Sequence, residues 1–163
     1  MLKTLKEQHR LFQTKFSFGA TSAIITNLGL ITGLDTLAHP KISIISGILV
    51  IALADNIADS FGIHIYQESE CINEREVWLS TLTNFLTRVF VSATFILLVA
   101  ALPINLAVIC SIVWGMALLA VMSYTIAKKR NVSVFKALFE HLAIATFVII
   151  ASHLIGKTII SRF

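Results

Sequence analysis

Five apolar runs, each close to the length that crosses a lipid bilayer, dominate the sequence and constrain its fold. A transmembrane helix needs about 20 consecutive apolar residues. The runs cover Phe16–Leu37, Ile42–Tyr66, Phe85–Leu102, Ile104–Ile126 and Val134–Gly156. Charged residues make up 13% of the chain, compared with about 25% in soluble domains. The sequence therefore predicts an all-α integral membrane protein with five transmembrane helices in a lipid bilayer.

The lysines and arginines are distributed unevenly between the two sides of this predicted bundle. One side has Lys3, Lys6, Arg10, Lys15, Arg75, Arg88, Lys128, Lys129, Arg130 and Lys136, and the other has Lys41, Lys157 and Arg162. Cytoplasmic loops carry the excess of basic residues, so we expect a cytoplasmic amino terminus and an external carboxyl terminus. Positive charge beside anionic lipid accounts for the pI of about 9.3 without a nucleic-acid partner. With no targeting extension in the sequence, we expect the bacterial inner membrane as the location.

The chain divides into a short leader and one transmembrane domain. Residues 1–15 mix leucines with basic residues, which favours an amphipathic helix on the cytoplasmic membrane surface, although a frayed polar tail has the same composition. Residues 16–163 form the transmembrane domain. Cys71 lies in a predicted loop and Cys110 inside the fourth run, and these different environments argue against a disulfide.

Two aspartates, Asp55 and Asp59, lie four residues apart within the second run. Each acidic residue at the centre of a membrane helix costs about 2.5 to 3.5 kcal/mol on insertion scales, so the pair should face a polar cavity, a cation or a neighbouring helix. Asn56, Ser60, His64 and Gln67 lie on the adjoining flank of the helical wheel. Such groups coordinate hard divalent cations or relay protons. Alternatively, the acids are protonated or hydrogen-bonded to another helix.

The first run carries a stripe of small and polar residues. Ser22, Thr26, Gly29 and Gly33 fall on one side of the predicted helix, which favours close helix packing and leaves a pore-lining role as the alternative. Asn27 lies on a different side and needs a partner in another helix.

The loop after the second run is rich in glutamate. If the second helix continues into the cytoplasm, Glu70 and Glu74 are stacked one turn apart and could concentrate cations at an entrance. A solvated acidic loop, with Arg75 and Arg88 available to pair with its acids, is the alternative.

In the last run, Lys136 and Glu140 have the spacing of a surface ion pair, and His153 lies near the outer end.

Two segments resemble one known family of membrane transporters. Gly19–Leu34 (GATSAIITNLGLITGL) and Ile51–Gly62 (IALADNIADSFG) resemble the first two spans of the vacuolar iron transporter family. The pair Ser69-Glu70 and the sequence Ala-Ser-His-Leu-Ile-Gly156 also match. The resemblance implies a homodimer of five-span subunits that exchanges Fe²⁺ or Mn²⁺ for protons, with the path at the dimer axis between first and second spans.

The chain departs from this family at several functional positions. Ser22 replaces the first-span aspartate, Ile63 replaces a second-span methionine and Gln67 replaces a glutamate. The segment after the second span is too short for the family's cytosolic metal-binding domain. Asp59 matches the family's second-span aspartate, whereas Asp55 stands at a position that is usually asparagine. A shifted site using Asp55, Asp59 and His64 is one outcome, and loss of metal transport on the same fold is the other.

The combined prediction is a divalent-metal exporter that works by proton antiport. Its predicted metal-site residues are Asp55, Asp59, Ser22, Thr26, His64, Glu70 and Glu74. Fe²⁺ or Mn²⁺ is transported cargo, and no tightly bound cofactor is expected. A non-transporting scaffold or regulatory protein is the alternative. We expect no enzyme: aspartyl membrane proteases place their two acids on different helices, whereas both aspartates here share one.

Overall fold

The computed structural model describes the backbone of residues 2–162 and the side chains of residues 18–162. Within these limits the chain forms five helices: α1 (Leu2–Leu34), α2 (Pro40–Ser69), α3 (Glu74–Ala101), α4 (Ile104–Lys129) and α5 (Val134–Arg162). Helices α2 to α5 are long and apolar enough to cross a membrane, and the apolar part of α1 that is described, Phe18–Leu34, is shorter. The predicted all-α fold is confirmed, and the four long spans are those of an integral membrane protein.

One difference from the predicted spans lies in the third helix. We placed its start at Phe85, but α3 begins at Glu74. The side chain of Asn73 caps this end by accepting a hydrogen bond from the Arg75 backbone N–H at 3.0 Å. Glu74 and Glu76 lie in the first turn, where the helix dipole favours negative charge. The prediction missed this part of α3 because its many polar residues lower the hydropathy.

The first helix begins before the predicted first span. Its backbone is helical from Leu2, whereas we placed the start of the span at Phe16. The prediction of an amphipathic surface leader over residues 1–15 concerns side chains that lie outside the described residues.

Helices α2 and α4 end in the same kind of turn. Cys71 and Asn131 have left-handed backbone conformations, with φ of 55° and 53°. The next backbone N–H, that of Ile72 or Val132, reaches back to a carbonyl of the last helical turn. This is the Schellman motif, which satisfies helix-terminal carbonyls. Since α2 ends at Ser69, Glu70 and Glu74 do not share a helix, and their predicted stacking on one helix is wrong.

Helix α1 lies at the centre of the bundle and packs against each of the other helices. Its buried residues Ile24, Leu28 and Ile31 form the core with Ile44 and Ile48 of α2, and with Phe95, Val99, Leu119 and Ala145. Large apolar side chains elsewhere on α2 to α5 point outward, as the lipid-facing surface of a membrane bundle requires. On α2 these exposed side chains include Ile57, Phe61 and Ile65.

The loops gather at two ends of the bundle. At the first end, Lys41 at the start of α2 donates hydrogen bonds to the carbonyls of Ala100 and Leu102 at the end of α3, at 2.8 and 3.2 Å. There too, His153 Nδ1 of α5 lies 3.3 Å from Asp35 Oδ1. We call this the 35–39 end. The opposite end, with the α2–α3 and α4–α5 connections, is the 70–73 end.

Candidate functional site

Arg88 lies buried in the middle of α3, with only 1% of its side chain exposed. A buried guanidinium requires paired charges and hydrogen-bond acceptors. Two helices supply them: α2 contributes Asp55, Asn56 and Asp59, and α1 contributes Ser22. We call these five residues the Arg88 cluster.

The guanidinium uses all three of its nitrogens within the cluster. Nε donates to Asn56 Oδ1 at 2.6 Å, and Nη1 donates to Ser22 Oγ at 2.6 Å. Nη1 also donates to Asp59 Oδ2, and Nη2 donates to Asp55 Oδ2. Arginine suits this position because its donors are held in a fixed planar fork. One side chain therefore bridges both aspartates and ties α3 to α1 and α2.

The spacing of the two aspartates explains how one guanidinium reaches both. Residues four apart on a helix lie one above the other, with Cβ atoms about 5 to 6 Å apart. Helix α2 has 30 residues and is therefore about 45 Å long, which places Asp55 about 22 Å from either end. The acid pair thus lies at mid-depth in the bundle.

The aspartates differ from Arg88 in their exposure. The side chains of Asp55 and Asp59 are 45% and 38% exposed in the single chain. Arg88 contacts the Oδ2 atom of each, so the buried edge of the pair faces the guanidinium and the other edge faces outward. Two carboxylates and one guanidinium leave a formal excess of one negative charge. The outward edge therefore presents carboxylate oxygens, the type of ligand that hard divalent cations prefer.

Of the seven predicted metal-site residues, the structure brings together Asp55, Asp59 and Ser22. Ser22 Oγ also lies 3.5 Å from Asp59 Oδ2. The buried His64 belongs to a separate group, with its Nδ1 3.1 Å from Thr81 Oγ1 and its Nε2 3.4 Å from Glu68 Oε1. Among the described residues, no group of three or more His, Cys, Asp or Glu side chains is arranged to hold a metal.

The remaining three predicted residues lie away from the cluster. Glu70 is the exposed C-cap of α2, and Glu74 is exposed in the first turn of α3. Thr26 lines an open groove with a volume of about 580 Å³ between α1, α2 and α5. Gly29 and Gly33 line the same groove. It extends from the neighbourhood of the Arg88 cluster toward the 35–39 end.

A row of polar pairs joins α2 to α3 between the Arg88 cluster and the 70–73 end. After Asn56–Arg88 come Ser60–Asn84 at 3.0 Å, His64–Thr81 at 3.1 Å and Gln67–Ser80 at 2.9 Å. We call these four pairs the polar ladder. Asn56, Ser60, His64 and Gln67 are all buried, so the predicted polar flank of α2 faces α3.

Sequence reasoning missed Arg88 as the partner of the aspartates. We considered Arg88 as a partner for the acids of the loop after the second run. It pairs instead with Asp55 and Asp59, so the predicted pairing with the loop is wrong for Arg88. A signal was present in the sequence: Ser80, Asn84, Arg88 and Ser92 repeat at intervals of four, which places them on one face of α3. This polar stripe matches the one on α2.

Several smaller predictions are confirmed. Asn27 donates a hydrogen bond to Ser92 Oγ of α3 at 2.9 Å, which is the interhelical partner that it needed. Gly29 and Gly33 pack closely against α5, where added Cβ atoms would meet Val148 and Ser152. Lys136 and Glu140 form the expected exposed pair at 3.9 Å. Both Cys71 and Cys110 are free thiols.

None of the family models, curated proteins or solved structures compared with the chain matches it. The resemblance to the vacuolar iron transporter family stays a prediction.

Proposed function

We propose that this protein is a proton-coupled membrane transporter that exports a divalent cation, Fe²⁺ or Mn²⁺, from the cytosol. Asp55 and Asp59 are the carboxylates that alternately hold the metal and protons. Arg88 is their resident counter-charge. The choice of metal comes from the resemblance to the vacuolar iron transporter family and is part of the proposal.

The observation that carries the proposal is the half-exposed acid pair at mid-depth in the bundle. Charged residues inside membrane proteins are expensive and serve ion pathways more often than packing. An acid pair kept only for packing would be expected to turn both carboxylates fully inward. Here Arg88 is fully buried, but both carboxylates keep an outward edge. That edge is where a transported cation would bind.

Competition between protons and metal supplies the coupling. A carboxylate that takes a proton loses the negative charge that attracts a metal ion, so both cannot be held at once. Ser22 and Thr26 offer weak oxygen ligands on the α1 side, and Glu70 and Glu74 lie at the entrance. The groove beside Thr26 extends toward the 35–39 end, and its lining is mostly apolar.

The topology belongs to the same proposal. The excess of lysine and arginine at the 70–73 end favours a cytoplasmic location for that end and for the amino terminus. Cys71 is exposed at this end. In intact cells carrying Cys110→Ser, a membrane-impermeant maleimide should therefore leave Cys71 unlabelled until the cells are permeabilised. Labelling in intact cells would reverse the orientation.

We also propose a homodimer with the transport path between α1 and α2. The outward edge of the acid pair would then face the second subunit instead of lipid. Light scattering of the purified protein in detergent should give twice the mass of the 17.9 kDa chain. A monomer mass would remove the dimer from the proposal.

Transport is tested with purified protein in liposomes under an imposed pH gradient. Uptake of Fe²⁺ or Mn²⁺ and the counterflow of protons are measured for the wild type, Asp55→Asn and Asp59→Asn. We expect both fluxes in the wild type and a loss of both in each variant. Glu140→Gln is the matched control, because it makes the same acid-to-amide change at an exposed position.

A second candidate function is a non-transporting scaffold or regulatory protein. The observation that favours it is the pairing of both aspartates with Arg88. On the sequence alone, such bonding to a neighbouring helix is the alternative to a metal or proton site. Absence of metal and proton flux in folded wild-type protein would support the scaffold. Equal flux in the wild type and in both aspartate variants would place the transport site elsewhere.

A further inference from the structure

The polar ladder contains more hydrogen-bonding capacity than its pairs use. Asn56 Nδ2 and Gln67 Oε1 are buried and have no partner within the described residues, and Asn84 Oδ1 is likewise unpaired and rests against Gly19. Asn56 is 1% exposed and Gln67 is 9% exposed. Buried polar atoms of this kind are costly unless they bind water or a ligand.

The geometry of the ladder suits water. Successive pairs lie three or four residues apart along α2, which corresponds to about 4.5 to 6 Å at 1.5 Å per residue. One water molecule that makes two ordinary hydrogen bonds spans about 5.5 Å. A water between neighbouring pairs would therefore reach both, and the free amide atoms provide a donor at Asn56 and acceptors at Asn84 and Gln67.

We infer that the polar ladder holds a chain of water molecules between the Arg88 cluster and the aqueous phase at the 70–73 end. Gln67 of the last pair lies in the last turn of α2, and His64 leads to Glu68, whose side chain is 60% exposed. The ladder thus connects the buried cluster with solvent. In terms of the proposed function, on which this role depends, the water chain is the path by which protons reach Asp55 and Asp59.

The alternative is a dry ladder that only holds the two helices together, as polar side chains do in many membrane proteins. The two cases differ in whether a small hydrated probe can enter. Ag⁺ is such a probe, because it moves through water and reacts with thiols. A cysteine in place of a buried serine reports its arrival with little change in side-chain volume.

The experiment uses the full chain with Cys71→Ser and Cys110→Ser, and adds Ser60→Cys or Ser80→Cys within the ladder. Ser123→Cys in α4 is the matched control: Ser123 is also buried, at 1% exposure, but its hydroxyl is hydrogen-bonded to the Leu119 carbonyl and to His141, and it lies outside the ladder. Protein in detergent is exposed to Ag⁺ for a fixed time and quenched, and the remaining thiol is titrated after unfolding. We expect loss of the free thiol at both ladder positions and its retention at Ser123→Cys.

Retention of the thiol at both ladder positions would overturn the inference in favour of a dry ladder. Equal loss at all three positions would also overturn it, because the probe would then enter the bundle everywhere. If one ladder variant does not fold, Gln67→Cys tests the same path. The readout needs no transport, so a dry ladder rejects this inference alone, and absence of metal flux rejects the proposed function alone.

Discussion

The α2–α3 interface and the α1–α5 interface hold the same bundle together by different chemistry. Along α2 and α3, polar side chains meet in pairs and a buried arginine bridges two acids. Along α1 and α5, small residues bring the backbones together, and a Cβ added at Gly156 would overlap the Gly33 carbonyl oxygen. One interface is specified by charge and hydrogen bonding, and the other by shape.

This difference predicts how each interface fails. Close packing of small residues stabilises membrane helices through van der Waals contact, so it is sensitive to added volume. The polar interface is sensitive instead to the loss of a charged partner, because the opposite charge is then left inside the bundle without compensation. Three sets of substitutions test the comparison, in order of decreasing expected effect.

The largest effect is expected from Arg88→Met, which keeps an unbranched side chain but removes the charge. Breaking a buried ion pair on one side costs up to about 3 to 5 kcal/mol, so this variant should melt well below the wild type. Thermal unfolding in detergent, followed by circular dichroism, measures the loss. Adding Asp55→Asn and Asp59→Asn should restore much of the stability, because no uncompensated charge then remains. If Arg88→Met alone unfolds like the wild type, charge does not specify the α2–α3 interface.

A smaller effect is expected at the α1–α5 interface from Gly156→Ala. Its new Cβ would meet the Gly33 backbone and Thr36 Oγ1. Overpacking costs about 1 to 3 kcal/mol. Gly62→Ala is the matched control, since Gly62 has no atom within 4 Å of the new Cβ and the change gives α2 the same gain in helix propensity. The melting temperature should fall for Gly156→Ala and stay the same or rise for Gly62→Ala. The opposite order would contradict the conclusion that shape specifies the α1–α5 interface.

The smallest effect is expected when one neutral hydrogen bond is removed. Ser80→Ala and Ser92→Ala each delete a hydroxyl of α3 that accepts a hydrogen bond from a buried amide at 2.9 Å. Interhelical hydrogen bonds in membrane proteins contribute about 0.6 kcal/mol on average. Both variants should therefore melt only slightly below the wild type. A loss as large as that of Arg88→Met would mean that neutral pairs, not charge, dominate the polar interface.

The sequence was sufficient for the membrane class, the helix order and the polar flank of α2. These features follow from apolar run length and helical periodicity, which depend on local sequence alone. Asp55 and Asp59 were also identified as a pair in need of partners. Which helix would supply the partner could not be deduced, since that depends on how α2 and α3 are aligned against each other.

The start of α3 shows the physical limit of hydropathy. Ser80 and Asn84 make this part of the helix look too polar to lie within a bundle, although both are buried. Their cost is offset by partners on α2, which a scale of single residues does not include. A polar repeat at intervals of four on two neighbouring helices is the sequence signal for such paired helices.

Lys41 provides one of two attachments that join α2 and α3 at their ends. It ties the start of α2 to the end of α3 at the 35–39 end, while a short turn joins the two helices at the 70–73 end. The ladder and Arg88 lie between these two attachments, so α2 and α3 are held together along their whole length. A displacement of one of these two helices would therefore carry the other with it.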